Sequence, residues 1–369
     1  MTILFLSSHT QSLFWFRLDL MICLVNKGHH VIAIGPESEL DWSEKFNIHK
    51  IQYKCIYIDR NGINQIKDFK TFIALFIILR EIKPDKLFIY QAKTIVYGSF
   101  SALFNKISDI YILLGGLGSV FRGDGIKNKI LSIIIGIQYK IAFIICRKVI
   151  FQNNDDISKM ISLGLIDKSK ISIINGSGVN MDLFKPTILP MQPSFLFIGR
   201  IIRDKGVNEY LEACRILKEK YKYVAFHLVG PFDTNPTALK YKDIERYIQS
   251  KVIEYHGEQK DVKKFISLCT TFVLPSYHEG TPKTVLEAMA MGRAIITSNA
   301  PGCKETVING LNGYLVKVKS ITELVEKMEF LIKNPDINQE MGFRSIEIVK
   351  EKYDVNKVNS DILKIMGIS

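Results

Sequence analysis

Short runs of uninterrupted apolar residues recur along this chain, each closed by a turn and followed by a helix-like period. "TILFL" begins at residue 2, the amphipathic "SLFWFRLDLMICLVNKG" follows and closes at Gly28, and "HVIAIG" comes next. "KLFIYQA", "IYILLGG" and "KVIFQN" extend the series. A half-exposed strand alternates apolar with polar residues, so these continuous runs indicate parallel strands covered on both faces. Residues 183–193, "LFKPTILPMQP", carry three prolines and no period, and read as a linker. The pattern then restarts with "SFLFIG", the loop "RIIRDKG", the helix "VNEYLEACRILKEKY" and the strand "VAFHLVG". Later strands are "KVIEYHG", "TFVLPS" and "AIITS". The sequence therefore predicts two doubly wound, Rossmann-like α/β domains facing a central crevice, with ligands at the carboxyl ends of the strands. Over 369 residues the expected division is 1–182, the linker, 194–350, and a C-terminal helix at 351–369 that packs back on the first domain.

Several function classes fall away. Neither half carries GxGxxG after its first strand, and no Walker A sequence occurs, which argues against dinucleotide oxidoreductases and P-loop enzymes. The six cysteines are scattered without a CxxC pair, as expected of reduced thiols in a cytoplasmic protein. Seven histidines occur without HxxxH or HExxH spacing and no DxD triplet is present, so no metal and no cofactor is expected. The start, "MTILFLSSHT", reads as a strand rather than a leader, so the chain is expected to stay unexported. A net charge of +12 suits nucleic acid, an anionic membrane or phosphorylated small molecules. Stacking motifs of nucleic-acid readers are absent and the lysines are spread out, so no nucleic-acid partner is expected. The most hydrophobic stretch, 130–146, is short for a span and broken by Gln138 and Lys140; it reads as a buried core helix.

The chemistry-bearing stretch is "SYHEGTPKTVLEAMA", residues 276–290. Thr281 reads as an N-cap and Pro282 as the first helical residue. Glu287 then lies about one and a half turns inside the helix, while Glu279 stays outside it. Unpaired amides and the macrodipole make a helix start an anion site. A carboxylate beside a bound nucleotide accepts hydrogen bonds from paired hydroxyls. Phosphates at the amides and hydroxyls at the acids describe a sugar nucleotide. In "GRIIRDKG" (199–206), Arg200 and Lys205 flank a flexible turn and could converge on a diphosphate, one as a fork and one as a point charge.

Together, "EGTPKTVLE" and "GRIIRDKG" resemble the E-x7-E motif and the arginine–lysine diphosphate loop of glycosyltransferase family 4, of the GT-B fold. The resemblance covers almost the whole chain and is strongest in "LVGPFDTNP", "VIEYHGEQKDV", "FVLPSYHEG" and "NAPGCKETVINGLNGYLV". In the first half, "GLGSVF", "FQNNDD" and "INGSGVNMDLF" are similar to the branch acting on undecaprenyl-diphosphate-linked acceptors in bacterial O-antigen and surface-polysaccharide assembly. That branch includes N-acetylgalactosamine transferases using UDP-N-acetylgalactosamine. The resemblance implies that Arg200 and Lys205 hold the donor diphosphate, Glu287 the ribose hydroxyls and Glu279 the transferred sugar. Gly280, Thr281, Lys283 and Thr284 complete the donor turn, with Gly199 and Gly257 in the same donor-binding set. Pro282 has no amide to donate. It also implies retention of anomeric configuration without a metal. Many family members carry a first-domain histidine in the loop after "IYILLGG"; here that loop has none, and His9 is the available substitute. The acceptor set is Ser8, His9, Arg17, Gly118 and Ser119; Arg17, which interrupts an apolar helix, either meets the acceptor diphosphate or snorkels to solvent.

The expectation is a peripheral enzyme at the inner face of the bacterial plasma membrane, with galactose, glucose and N-acetylglucosamine open as donor sugars. A UDP-sugar 2-epimerase, or a binding protein using the basic surface, are the rival readings. Two runs, 69–83 and 125–136, combine apolar residues with lysine or arginine. Each alone also suits a core helix; attachment to anionic membrane is expected through at least one basic, apolar face of residues 1–182.

Overall fold

Parallel pairing organises both halves of the computed structural model, which describes residues 1–59, 64–117, 121, 126–234 and 237–368. The chain divides into two compact units, 1–177 with 359–369, and 178–358. In the first, the strands are β1 (Thr2–Ser7), β2 (His30–Gly35), β3 (Gln52–Cys55), β4 (Lys86–Tyr90), β5 (Ile110–Leu113), β6 (Lys148–Phe151) and β7 (Ile171–Ile173). They form one sheet in the order β3-β2-β1-β4-β5-β6-β7, all parallel. The helices between them are α1 (Thr10–Asn26), α2 (Glu39–Asn47), α3 (Gln65–Ile82), α4 (Ala92–Phe104), α5 (Ile126–Ile145) and α6 (Asn154–Ser162).

The second unit repeats the order as β10-β9-β8-β11-β12-β13. These strands are β8 (Ser194–Ile198), β9 (Ala225–Val229), β10 (Glu254–Tyr255), β11 (Thr271–Leu274), β12 (Ala294–Ser298) and β13 (Gly313–Val316). Helices α7 (Val207–Lys220), α8 (Tyr241–Gln249), α9 (Lys263–Ser267), α10 (Lys283–Ala290), α11 (Ile321–Lys333) and α12 (Pro335–Ile348) connect or follow them. The strand order reverses between β1 and β4 in one unit and between β8 and β11 in the other. In sheets of this kind the ligand crevice opens outside the carboxyl ends of the strands at that reversal.

The apolar runs read from the sequence are the buried central strands. Every residue of β4, β5, β8, β11 and β12 is buried. The strands that the pattern did not show, β3, β7 and β13, lie at sheet edges, where one side of the ladder and part of each face stay open and polar residues are tolerated. The proline-rich stretch around residue 187 is part of the second unit. There the buried Arg293 donates to the carbonyls of Ile266, Thr187 and Met291 at 2.8, 2.9 and 3.0 Å. The last helix, α13 (Val355–Met366), starts in the second unit and ends in the first, where the Tyr111 hydroxyl donates to the Met366 carbonyl at 3.0 Å.

One expectation is corrected. The 130–146 stretch is helical but is not a core helix. Tyr139, Ala142, Phe143 and Cys146 face the core, whereas Ile126, Ile130, Ile133, Ile137, Ile141 and Ile144, spaced three and four apart, form an exposed stripe. Average hydropathy over the window cannot distinguish these faces. No helix among the described residues is long and apolar enough to cross a membrane.

Candidate functional site

The loops leaving β8 and β11 are tied to each other by their backbones. Ser276 Oγ and the Tyr277 amide both donate to the Asp204 carbonyl, at 3.1 and 2.9 Å. Tyr277 Oη reaches Glu209 Oε1 on α7 at 2.7 Å. Gly206, at φ +76°, lets the loops approach: a Cβ there would sit 2.1 Å from the Pro275 carbonyl oxygen. Within this frame Lys205 and Glu279 form a half-buried ion pair, although 74 residues separate them. The Glu279 amide donates to the Pro301 carbonyl at 2.9 Å. Gly302 clears the other side of the turn, since a Cβ there would lie 2.2 Å from the Glu279 carbonyl oxygen.

Helix α10 starts one residue later than expected. Lys283 is its first residue and Pro282, at φ −74° and ψ 108°, caps it without a side-chain bond. Proline's fixed φ suits the position, and the extended ψ keeps it outside the helix. Thr284 Oγ1 donates to the carbonyl of Ile198, the last residue of β8, at 3.4 Å, holding the helix start over that strand end. Glu287, one turn further in, is buried, and no hydrogen-bond or ion-pair partner meets it among the described residues. Burial raises its carboxyl to about 7, with Lys283 pulling the other way. A carboxylate held this way gains by accepting hydrogen bonds from a ligand's hydroxyls.

Arg200 does not join the Lys205–Glu279 pair. Its guanidinium turns to Asp233, on the loop after β9, at 2.7 Å. Gly199 and Gly257 bracket the same strand ends: the Gly199 amide donates to Val229 at 3.0 Å, and Gly257 accepts from the Gly230 amide at 2.8 Å.

In the first unit, the loops after β1 and β4 share a polar cluster. Ser7 and Ser8 both donate to Gln91 Oε1 at 2.8 Å, and Gln91 Nε2 donates to Ser12 at 3.0 Å. His9 Nδ1 lies 3.2 Å from Ser12 Oγ, and its Nε2 is 3.9 Å from Glu37. The sequence reading missed Gln91. It caps α4 at φ 79°, a backbone region costly for a residue with a Cβ, and such strain clusters at functional positions. A glutamine directly after the β4 strand, in "YQAK", was the available signal. Arg17, on α1, is buried and its Nε finds no hydrogen-bond partner among the described residues. Burial lowers its guanidinium to about 10, with Tyr90 opposing. Gly118 and Ser119 lie outside the described residues.

Residues 181–347, which hold Arg200, Lys205, Glu279 and Glu287, match the family model for glycosyl transferases group 1. The chain is 29% identical to the N,N'-diacetylbacillosaminyl-diphospho-undecaprenol alpha-1,3-N-acetylgalactosaminyltransferase of Campylobacter jejuni, across 99% of this chain and 98% of that one. It is 26% identical to the UDP-Gal:alpha-D-GlcNAc-diphosphoundecaprenol alpha-1,3-galactosyltransferase of Escherichia coli, over 72% and 71% of the two chains. Among solved structures, the Anabaena protein Alr3699/HepE, in complex with UDP and glucose, superposes with a TM-score of 0.79 at 17% identity, covering 100% and 99% of the chains. That likeness supports the GT-B fold: two parallel-sheet, Rossmann-like units.

Proposed function

We propose that this enzyme transfers N-acetylgalactosamine from UDP-N-acetylgalactosamine to a polyprenyl-diphosphate-linked saccharide in bacterial surface-polysaccharide assembly, with retention and without a metal in the reaction. The carrying observation is the Lys205–Glu279 pair at the turn that leads into α10, the helix in which Glu287 is buried. It joins the basic loop to the acidic turn at the reversal point of the second sheet.

In this reading Lys205 leaves Glu279 for the donor diphosphate, and Glu279 turns to the sugar. Arg200, on an exposed loop, exchanges Asp233 for the same diphosphate. Their charge offsets the negative charge that grows on UDP as the glycosidic bond breaks. Glu287 accepts from the ribose hydroxyls, and the amides of Gly280, Thr281, Lys283 and Thr284 face the sugar and phosphates. The departing phosphate oxygen takes the acceptor hydroxyl's proton on the same face, which gives retention. In the first unit, Ser8 and His9 line the acceptor side. The buried Arg17 meets the acceptor diphosphate, which would supply the anion its guanidinium otherwise lacks.

A lipid-linked acceptor requires the first unit to work at a membrane surface, at the inner face of the plasma membrane. The exposed isoleucine stripe of α5, and Ile66, Phe69, Ile73 and Ile77 on α3, support this. Exposed lysines 129 and 140 on α5 and Lys70 and Arg80 on α3 flank them. Insertion of these faces, with about 1 kcal/mol per nearby basic residue on anionic lipid, gives reversible attachment without a span.

Galactose is the second donor reading, favoured by the similarity to the Escherichia coli galactosyltransferase. Incubating the enzyme with a panel of UDP-sugars and a synthetic lipid-diphosphate saccharide, and determining the product linkage by NMR, decides between them. UDP-N-acetylgalactosamine turning over fastest, to an α-linked product, is expected; epimerised donor without acceptor consumption would support the 2-epimerase reading.

A further inference from the structure

Strands β9 and β10 pair in parallel with His227 opposite Glu254. His256 stands two residues beyond Glu254, on the same side of the chain. The period of two and the register therefore gather two imidazoles and a carboxylate that the sequence separates by up to 29 positions. His227 Nδ1 lies 3.1 Å from His256 Nε2 and 3.5 Å from Glu254 Oε2. All three donor atoms fall within 4.8 Å of one another. A tetrahedral ion with bonds of about 2.0–2.1 Å holds its ligand atoms about 3.3–3.4 Å apart, so the two measured separations bracket that spacing.

We propose that His227 Nδ1, His256 Nε2 and Glu254 form a binding site for a divalent transition metal of the zinc class, with the fourth position left to water. Nitrogen and oxygen donors in a set of two histidines and one glutamate suit zinc, while calcium and magnesium prefer oxygen alone. The surroundings favour the form that binds. Burial lowers the pKa of both imidazoles, helped by Lys218 at His227 and Lys264 at His256, and opposed by Glu254. Neutral rings keep a lone pair for the metal. Phe265 packs on His256 with ring centroids 4.7 Å apart and fixes its orientation. Glu254 is mostly exposed and provides an entry path.

The ion would serve structure rather than transfer. β10 has only two residues and forms the sheet edge, so its pairing with β9 needs reinforcement. His256 precedes Gly257, whose carbonyl holds the Gly230 amide at 2.8 Å. Metal at this site fastens that loop to the strand end.

Zinc added to the chelator-stripped full-length protein and followed by calorimetry should saturate near one equivalent and raise Tm. Losing even an outer partner of a metal ligand costs about 10–100-fold in affinity, so Glu254→Gln and His256→Ala should each weaken zinc binding at least that much. Glu254→Gln alters an exposed side chain and should keep the wild-type far-UV spectrum, which guards against loss by misfolding. Absence of binding in the wild-type protein, or wild-type affinity in both variants, overturns the site; the second outcome would place zinc elsewhere, for example at the exposed Cys55.

Discussion

The two units repeat one strand order and carry opposite outer surfaces. Helices α7 and α11 of the second unit turn charge to solvent: Arg215 pairs with Glu212 and Glu219 at 3.0 and 2.9 Å, and Lys333 with Glu329 at 3.4 Å. Helix α5 of the first unit turns a row of isoleucines outward, with Ile133 62% and Ile144 66% exposed. Charge-laced helices are the ordinary surface of an α/β domain, whereas a helix apolar on both faces needs a second apolar neighbour. The reversal points differ too. The second unit pairs basic and acidic side chains there, while the first gathers hydroxyls, Gln91 and a buried arginine. Under the proposed function, one topology serves a water-soluble nucleotide sugar in one unit and a lipid-borne substrate in the other.

The largest expected effect separates those roles. Lys205→Ala should lower turnover about 10²–10³-fold, as loss of one preorganised charge at a developing anion does, while leaving vesicle binding unchanged. Steady-state kinetics beside flotation checks this; unaltered turnover would remove the diphosphate role.

Glu287→Gln tests the buried carboxyl through stability. Its folded-state carboxyl is raised from 4.5 to about 7, so its ionisation costs stability as pH rises across that window. Stability from this group is present below 4.5 and lost by pH above about 7. The neutral variant should therefore be more stable than wild type at pH 8, by up to about 3 kcal/mol, and equal to it near pH 4. Denaturant unfolding at both pH values reads the difference.

The paired change Ile133→Asp with Ile137→Asp attacks the other surface. At about 1 kcal/mol for each partly inserted isoleucine, binding of the full-length protein to anionic vesicles should fall about 30-fold, with UDP affinity unchanged. Equal flotation of variant and wild type would leave the apolar stripe without a membrane role. The smallest effect is expected from a metal chelator. It should leave the initial transfer rate unchanged if, as proposed, Arg200 and Lys205 supply the charge a metal would, while lowering Tm.

Much of this was legible in the chain. Central strands such as "SFLFI" and "TFVL" declare themselves because both faces are buried, and Lys205, Glu279 and the helix that carries Glu287 follow strand ends whose place is set by strand order. Pairings across long separations were not legible. Nothing near Arg200 in sequence indicates Asp233, and His227 with "EYH" resembles no metal spacing until the parallel register sets them side by side. The outward face of α5 was hidden because a helix apolar all round reads as a core helix.

The division of labour across the Gly-Thr-Pro turn is tested most directly by titrating UDP into wild type, Glu279→Ala and Glu287→Ala at pH 8 by calorimetry. If Glu287 holds the ribose, Glu287→Ala should lose about 1.5–3 kcal/mol of UDP affinity. Glu279→Ala, whose partner is the sugar, should bind UDP as wild type does and lose turnover instead. Equal losses of UDP affinity in the two variants, or full affinity in Glu287→Ala, would contradict the account.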